Sequence, residues 1–344
     1  MSGKPLAGVH VLDFSELAPG PFMTQCLVEM GASVTKIERP QGDQARTLQP
    51  GGFKVLNVGK DCRRVDLKDA ATSEQVFQLA VESGILVEGF RPGVMTRLGL
   101  GYDRLRAANP ALIYVSITGF GQSGPFAARG GHDINYMAMA GVTALSGGAG
   151  QPPKDAIGLP ISDFCGSLYA LSTTLAALLQ VRATGQGQHL DVSIVDCLTH
   201  WMNPRLGHFQ QARLETLEQQ RQDVFNKPGY GVFATADETF VAIASLEDAF
   251  WQRLIKALPI ALDGIDHSTH ARRSEHALAI NAQLAAAIRS LPADEVIQRL
   301  TAVDVPVSKM VSPSELPTSA HAVARDLFTA VDGIKYARFP VKLT

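Results

Sequence analysis

The chain has 344 residues, long enough for two domains or for one large domain with insertions. Hydrophobic residues make up 46% and charged residues 19%, which favours a sizeable core and argues against extensive disorder. The formal charge is −2, from 31 basic and 33 acidic residues, so we expect no nucleic-acid partner and no binding to an acidic membrane surface.

The first predicted elements form a strand–helix–strand unit. Val9–Phe14 is a short β-rich run that ends in a Pro- and Gly-containing loop. A helical pattern then runs from Phe22 to Met30 and stops near Gly31, and Ser33–Glu38 is the next strand. This order predicts a parallel βαβ unit and therefore an α/β fold with a Rossmann-like sheet.

Two further strands follow, Ile85–Glu88 and Leu112–Thr118, with a helical stretch over Tyr102–Ala108 between them. A glycine-rich loop follows the second strand. Ligands of parallel α/β sheets sit at the carboxyl ends of strands, so we expect the site there. No apolar run looked long enough to cross a bilayer, and we predict no membrane partner.

The later part of the chain differs from this α/β start. A strongly apolar helix over Gly166–Ala183 precedes a strand at His189–Val195, and a polar helical region follows. A hairpin and two helices then predict a small α+β domain. We expect a large domain over residues 1–195 and 305–344, a linker helix over 196–224 and a small domain over 225–305.

Residue types suggest a cytoplasmic enzyme with an anionic ligand. Cys26, Cys62, Cys165 and Cys197 show neither a CxxC pair nor metal-ligand spacing, so we expect a reducing compartment and no metal site. The first βα turn lacks GxGxxG, which makes a nicotinamide cofactor a weak hypothesis. Basic residues near strand ends suit phosphate, although each alone is more simply a surface charge: Arg39, Arg46, Lys60, Lys68 and Arg91.

Three residues are candidates for proton transfer, and each also has a structural explanation. His132 lies in a glycine-flanked segment, but single histidines are more often structural. Asp163 precedes the long apolar helix and would by position alone be its N-cap. Glu247 would be an ordinary acid in the first turn of a helix. These residues alone leave catalysis and structure both open.

The chain resembles the class III CoA-transferase superfamily, and within it the α-methylacyl-CoA racemases. The similarity covers most of the first two hundred residues and is carried by several motifs: Leu17–Phe22, Lys36–Pro40, Val65–Lys68, Arg91–Met95, Thr118–Pro125, Gly131–Tyr136, Asp163–Phe164 and Thr184–Gln188. The resemblance implies a homodimer of two interlocked chains, each with a Rossmann-like large domain and a small domain.

The resemblance also implies the site residues. Coenzyme A, as part of an acyl-CoA substrate and with no further cofactor, would be held by Arg39, Val65, Asp66, Leu67, Lys68, Arg91, Gly131, Asp133, Ile134, Asn135 and Tyr136. A racemase or epimerase of 2-methyl-branched acyl-CoA would use His132 and Asp163 as two bases, with Glu247 orienting the histidine. A CoA-transferase would use Asp163 as its nucleophile. A binding protein without turnover is the third possibility.

Overall fold

The computed structural model describes residues 4–148, 150–154 and 158–341. These residues form two compact units. Within these ranges the first unit comprises residues 4–146, 154, 158–208 and 320–341, and the second comprises residues 147–148, 150–153 and 209–319.

The first unit is built on a six-stranded parallel sheet, which confirms the predicted α/β class. Its strand order is β3-β2-β1-β4-β5-β6, and the strands are β1 (His10–Asp13), β2 (Ser33–Glu38), β3 (Asp61–Arg64), β4 (Ile85–Glu88), β5 (Ile113–Thr118) and β6 (His189–Ser193). The direction of winding reverses between β1 and β4. In sheets of this type the crevice at such a reversal is the usual ligand position.

Helices cover both faces of this sheet. The helices of this part of the chain are α1 (Pro19–Glu29), α2 (Ala45–Leu48), α3 (Pro50–Leu56), α4 (Ala70–Glu82), α5 (Val94–Arg97), α6 (Tyr102–Ala108), α7 (Asp133–Met139), α8 (Ile161–Thr184), α9 (Ile194–Trp201) and α10 (Asn203–Gln211). Side chains of α1 and α8 share one apolar core with the strands. Those of α4 and α6 share a second core with them, so strands β1, β2, β4 and β5 are buried on both sides.

Helix α8 differs from its prediction in two respects. It begins at Ile161 rather than at Gly166, and Asp163 therefore lies inside its first turn. By length and hydropathy it would also be able to cross a membrane, contrary to the expectation that no run is long enough. Ala170 and Ala177 of this helix lie in the same buried cluster as strand residues of the sheet. Such packing is typical of a core helix in a globular unit.

The chain's last segment belongs to the first unit. Helix α16 (Ala320–Ala324) is followed by an antiparallel hairpin of β10 (Phe328–Val331) and β11 (Ile334–Ala337). The backbone N–H of Phe339 donates to Glu29 Oε2 at 2.6 Å, which ties this segment to the end of α1.

The second unit packs helices on a three-stranded antiparallel sheet. Its elements are α11 (Leu217–Phe225), β7 (Tyr230–Ala234), β8 (Phe240–Ala244), α12 (Asp248–Ala257), α13 (His270–Glu275), α14 (Ala277–Arg289), α15 (Ala293–Ala302) and β9 (Val307–Lys309). The unit extends to Ser319, past the predicted limit at 305, because β9 pairs with β8. The predicted linker helix over 196–224 consists of α9, α10 and α11, interrupted where Arg213 takes a positive φ.

Gly187, just before β6, lies so close to the backbone before β5 that a side chain there should be destabilising. A Cβ added there would lie 2.0 Å from the carbonyl oxygen of Leu112, a backbone atom that cannot move without disturbing β5. Gly187→Ala should lower the free energy of unfolding by about 1–3 kcal/mol. The matched change Gly207→Ala in α10, with nothing within 4 Å, should be neutral or stabilising. Urea unfolding of both variants checks this, and equal stabilities would contradict the close approach.

Candidate active site

A cavity of about 250 Å³ lies at the carboxyl ends of β1, β4 and β5 in the first unit. Five of the predicted site residues line it together: Arg91, Gly131, His132, Tyr136 and Asp163. They come from three separate segments of the chain, the turn after β4, the start of α7 and the start of α8. The structure therefore brings the two predicted proton-transfer groups of this unit to one cavity.

The start of α7 is held by its own side chains. His132 occupies the N-cap position, and its backbone N–H donates to Asn135 Oδ1 at 3.0 Å. The Tyr136 hydroxyl donates to the carbonyl of Gly131 at 2.6 Å. Both bonds engage the peptide group that joins Gly131 to His132, and they fix the backbone at the start of the helix. They also give Asn135 and Tyr136, which we predicted to contact coenzyme A, a role within the protein.

The Asp133 carboxylate joins the starts of α7 and α8. Its Oδ1 atom accepts hydrogen bonds from the backbone N–H of Ser162 at 2.7 Å and from the Ser162 hydroxyl at 2.6 Å. His132 and Asp163 are the chain neighbours of these two bonded residues. The contact therefore sets where the imidazole and the carboxyl group stand relative to the same cavity. Ile134, the remaining predicted residue of this loop, is exposed.

Asp163 has the environment of a proton-transfer group. The N-cap of α8 is Pro160, so Asp163 does not have the capping role that its position suggested. Burial raises the pKa of its carboxyl to about 7, and the nearby negative charge of Asp133 adds to the shift. A carboxyl group with this pKa is able both to accept and to donate a proton near neutral pH.

The other predicted ligand residues line a neighbouring cavity of about 480 Å³. Its lining includes Arg39 and the whole segment Val65–Lys68, that is Val65, Asp66, Leu67 and Lys68. Arg39 Nη2 lies 3.0 Å from Glu16 Oε2. Glu16 lines both cavities, as do Phe14 and Phe90, so the two cavities are adjacent.

The shared wall was not among the predicted site residues. Glu16 is paired with Arg39 in the structure. Phe14 ends the predicted strand Val9–Phe14, and Phe90 lies two residues after the strand Ile85–Glu88. The signal available was their position at the carboxyl ends of β4 and β1, where side chains of parallel sheets meet ligands.

Two of the basic residues noted as phosphate candidates are engaged inside the protein. Arg46 binds both carboxylate oxygens of Glu38, each at 2.8 Å. The side chain of Lys60 is fully buried beside Asp13. Both groups pair with carboxylates inside the protein, and neither lines the two cavities described above.

Glu247 lies in the second unit, at the N-cap of α12, and its side chain is exposed. It borders an open hollow with Lys227, Leu246, Asp248 and His270. Its predicted action on His132 stays a prediction. Among residues 4–148, 150–154 and 158–341, no group of three or more His, Cys, Asp and Glu side chains is arranged to hold a metal ion.

Comparison with known proteins identifies the family of the chain. Residues 6–344 match the model of CoA-transferase family III. Acetyl-CoA:oxalate CoA-transferase of Acetobacter aceti is 30% identical over 99% of this chain and 89% of its own length. Human alpha-methylacyl-CoA racemase is 34% identical over 75% of this chain, which spans only 66% of that protein. A CAIB/BAIF family protein from Brucella suis has a similar structure, with a TM-score of 0.88, 27% identity, and coverage of 100% of this chain and 93% of its own.

These similarities establish the family without separating its activities. Relatives with transferase names and relatives with racemase names match at about the same identity. The expectation that the chain stands nearer to the racemases is therefore not supported by overall similarity.

The raised pKa of Asp163 predicts how stability depends on pH. The folded state holds this proton up to about pH 7, whereas an unfolded aspartate loses it near 3.8. Stability from this group is therefore present at low pH and is lost as pH rises from about 4 through 7. Asp163→Asn should gain roughly 2–4 kcal/mol over wild type at pH 8 and little at pH 4. Urea unfolding at both pH values measures the difference, and a gain independent of pH would contradict the assignment.

Proposed function

Because the chain belongs to CoA-transferase family III, we propose that it is an enzyme acting on acyl-CoA thioesters, and specifically a racemase or epimerase of 2-methyl-branched acyl-CoA. One observation carries this proposal: His132 and Asp163 line the same cavity, and the pKa of Asp163 is about 7. A transferase needs the carboxylate alone. A two-base exchange needs both groups at one carbon.

The proposed reaction exchanges the proton on the carbon next to the thioester carbonyl. The thioester makes that proton acidic, and one group removes it while the electron pair moves onto the carbonyl oxygen. The other group then returns a proton to the opposite face, and the electron pair re-forms the carbon–hydrogen bond. The backbone N–H of Asp163, in the first turn of α8, would stabilise the negative oxygen.

The two adjacent cavities provide for the rest of the substrate. The acyl group and thioester would occupy the cavity with His132 and Asp163. The coenzyme A moiety would extend past Phe14, Glu16 and Phe90 into the cavity lined by Arg39 and Lys68. Guanidinium and ammonium groups suit its phosphates. Coenzyme A would thus enter as part of the substrate.

The second candidate is a CoA-transferase, favoured by the near-complete coverage of transferase relatives. Asp163 would attack the thioester carbonyl and release the CoA thiolate, leaving an acyl–aspartyl anhydride. The thiolate would then attack the aspartyl carbonyl, release the acid and leave an aspartyl thioester for an incoming acid. A carboxylate of raised pKa is a better nucleophile, so the same environment serves this chemistry.

A second copy of the chain is part of the proposal. Helix α8 leaves Leu168 and Leu179 exposed, and Trp201 of α9 is exposed as well. Large apolar side chains on neighbouring helices favour a protein partner over water. We propose that this surface meets the partner in a homodimer, and that Glu247 orients His132 in the assembled enzyme.

Replacement of His132 separates the two chemistries. Incubating a chiral 2-methylacyl-CoA with the protein in deuterated water, without acceptor acid, should place deuterium on the α-carbon. His132→Gln removes the basic nitrogen and should slow exchange from one enantiomer by a factor of roughly 100 or more, and from the other far less. His321→Gln, on exposed helix α16, is the matched control.

The outcome that contradicts the racemase is equally definite. The wild-type protein would then move CoA between acids without ever exchanging the α-proton. The His132→Gln variant would keep its full transfer activity. That result would establish the transferase alternative. Acyl-CoA binding without either reaction would point to a non-catalytic homologue.

Neutralising Arg39 or Arg91 tests the binding part of the proposal. Each contact with a phosphate exists before the transition state, so Arg39→Gln and Arg91→Gln should raise KM roughly tenfold or more and leave kcat nearly unchanged. Arg182→Gln at the exposed end of α8 should change neither. Initial rates over a range of acyl-CoA concentrations give both constants. An unaltered KM in both variants would show that Arg39 and Arg91 are surface charges that do not bind the substrate.

A further inference from the structure

The turn Ser15–Leu17 connects β1 to the loop before α1 and forms part of both cavities. Glu16 lines the two cavities, and Leu17 lines the one that contains Asp163. Leu17 has a φ of 64°, in the left-handed region that a branched, bulky residue seldom occupies. Strain of this kind persists only where surrounding contacts enforce it, and it is concentrated at functional sites.

Hydrogen bonds with the side chains of Asp13, Lys36 and Asp43 hold the Ser15–Leu17 turn in this conformation. The backbone N–H of Leu17 donates to Asp43 Oδ1 at 3.2 Å. Lys36 Nζ donates to the carbonyl oxygen of Ser15, and the backbone N–H of Ser15 donates to Asp13 Oδ1 at 2.9 Å. Each backbone group of the turn named here is thus held by a charged side chain.

These side chains belong to a buried network of four charges, Asp13, Lys36, Asp43 and Lys60. Lys36 Nζ lies 3.0 Å from Asp43 Oδ2, and Lys60 Nζ lies 3.4 Å from Asp13 Oδ2, with all four side chains fully buried. Two positive and two negative charges balance each other. Burial opposes the charge on Lys36, but Asp13 and Asp43 outweigh it and raise its pKa.

Stability alone does not account for a network of this kind. Burying four ions removes their hydration, and well-packed apolar side chains of similar volume often serve the fold as well or better. What apolar side chains do not provide is a set of directed bonds to the Ser15 carbonyl and the Leu17 N–H. The network's distinctive effect is therefore on the conformation of the turn.

We infer that Lys36 and Asp43 are positioning residues, which hold the strained Ser15–Leu17 turn in the shape that the two adjacent acyl-CoA cavities require. This inference rests on the proposed function, since it takes both cavities as parts of one acyl-CoA site. Neither residue lines the Asp163 cavity or the neighbouring one. Their effect on the substrate passes through the backbone of the turn.

Charge-neutral double variants test this without leaving an unpaired buried ion. Lys36→Met/Asp43→Leu removes the pair and the acceptor for the Leu17 N–H. Lys36→Met/Asp43→Asn also removes both charges but keeps an acceptor oxygen at that position. Both proteins should fold, with melting temperatures within a few degrees of each other. The Leu variant should lose at least tenfold more in kcat and in acyl-CoA affinity than the Asn variant.

A second pair of variants tests the backbone alone. Leu17→Ala and Leu17→Gly both remove the apolar side chain, and they differ chiefly in tolerance of positive φ. Leu17→Gly should melt higher than Leu17→Ala because glycine carries no strain there. It should nevertheless bind acyl-CoA at least threefold more weakly, because the turn is then free to leave the shape that the site needs.

Acyl-CoA affinity, measured by calorimetry with a non-hydrolysable acyl-CoA thioether, keeps the inference separate from the proposed reaction. A wild-type protein that binds this probe without any turnover would end the proposed function and leave the affinity comparison intact. Equal affinities within both variant pairs would overturn the inference, as would a wild-type protein that does not bind the probe. If both double variants fail to fold, the affinities of Leu17→Ala and Leu17→Gly alone test the inference.

Discussion

The hydrogen bonds between the Asp133 carboxylate and Ser162 are the constraint on which the candidate site depends. They join the starts of α7 and α8, two helices separated by more than twenty residues of chain. His132 precedes Asp133 in the chain, and Asp163 follows Ser162. This one contact therefore places the imidazole and the carboxyl group at the same cavity. The negative charge of Asp133 also contributes to the raised pKa of Asp163. Asp133 thus contributes to both the geometry and the acidity of the site, while burial of Asp163 is the larger cause of the raised pKa.

The rest of the first unit is arranged so that this contact lies beside the cavity at the carboxyl ends of the strands. Strands β1, β4 and β5 end at the cavity, and α8 packs on the sheet they form. The Ser15–Leu17 turn, which lines the same cavity through Glu16 and Leu17, is held by buried charges. Asp163 therefore stands beside backbone that hydrogen bonds hold in place, and such rigidity is what preorganisation for charge development requires. Both proposed chemistries depend on this rigidity, because each needs Asp163 aimed at a defined substrate atom.

Much of the fold was predictable because hydrophobic periodicity and glycine positions report local structure directly. The βαβ start, the strands over Ile85–Glu88 and Leu112–Thr118, and the hairpin of the second unit followed from such patterns. Contacts between distant polar residues leave no periodic signal. The pairing of Asp133 with Ser162, and the burial of Lys60, were accordingly missed. The start of α8 was misplaced because a proline at the N-cap replaces the usual polar residue, which made Asp163 look like a cap.

The protonation of Asp163 in the folded protein is the most direct measure of this account. Carboxyl carbon NMR of protein labelled with ¹³C at aspartate, compared with Asp163→Asn to assign the resonance, follows this group through a titration. The environment described here predicts a midpoint near 7. It also predicts a lower midpoint when Asp133→Asn removes the neighbouring charge. A midpoint near that of an ordinary aspartate, unaffected by Asp133, would contradict the central claim.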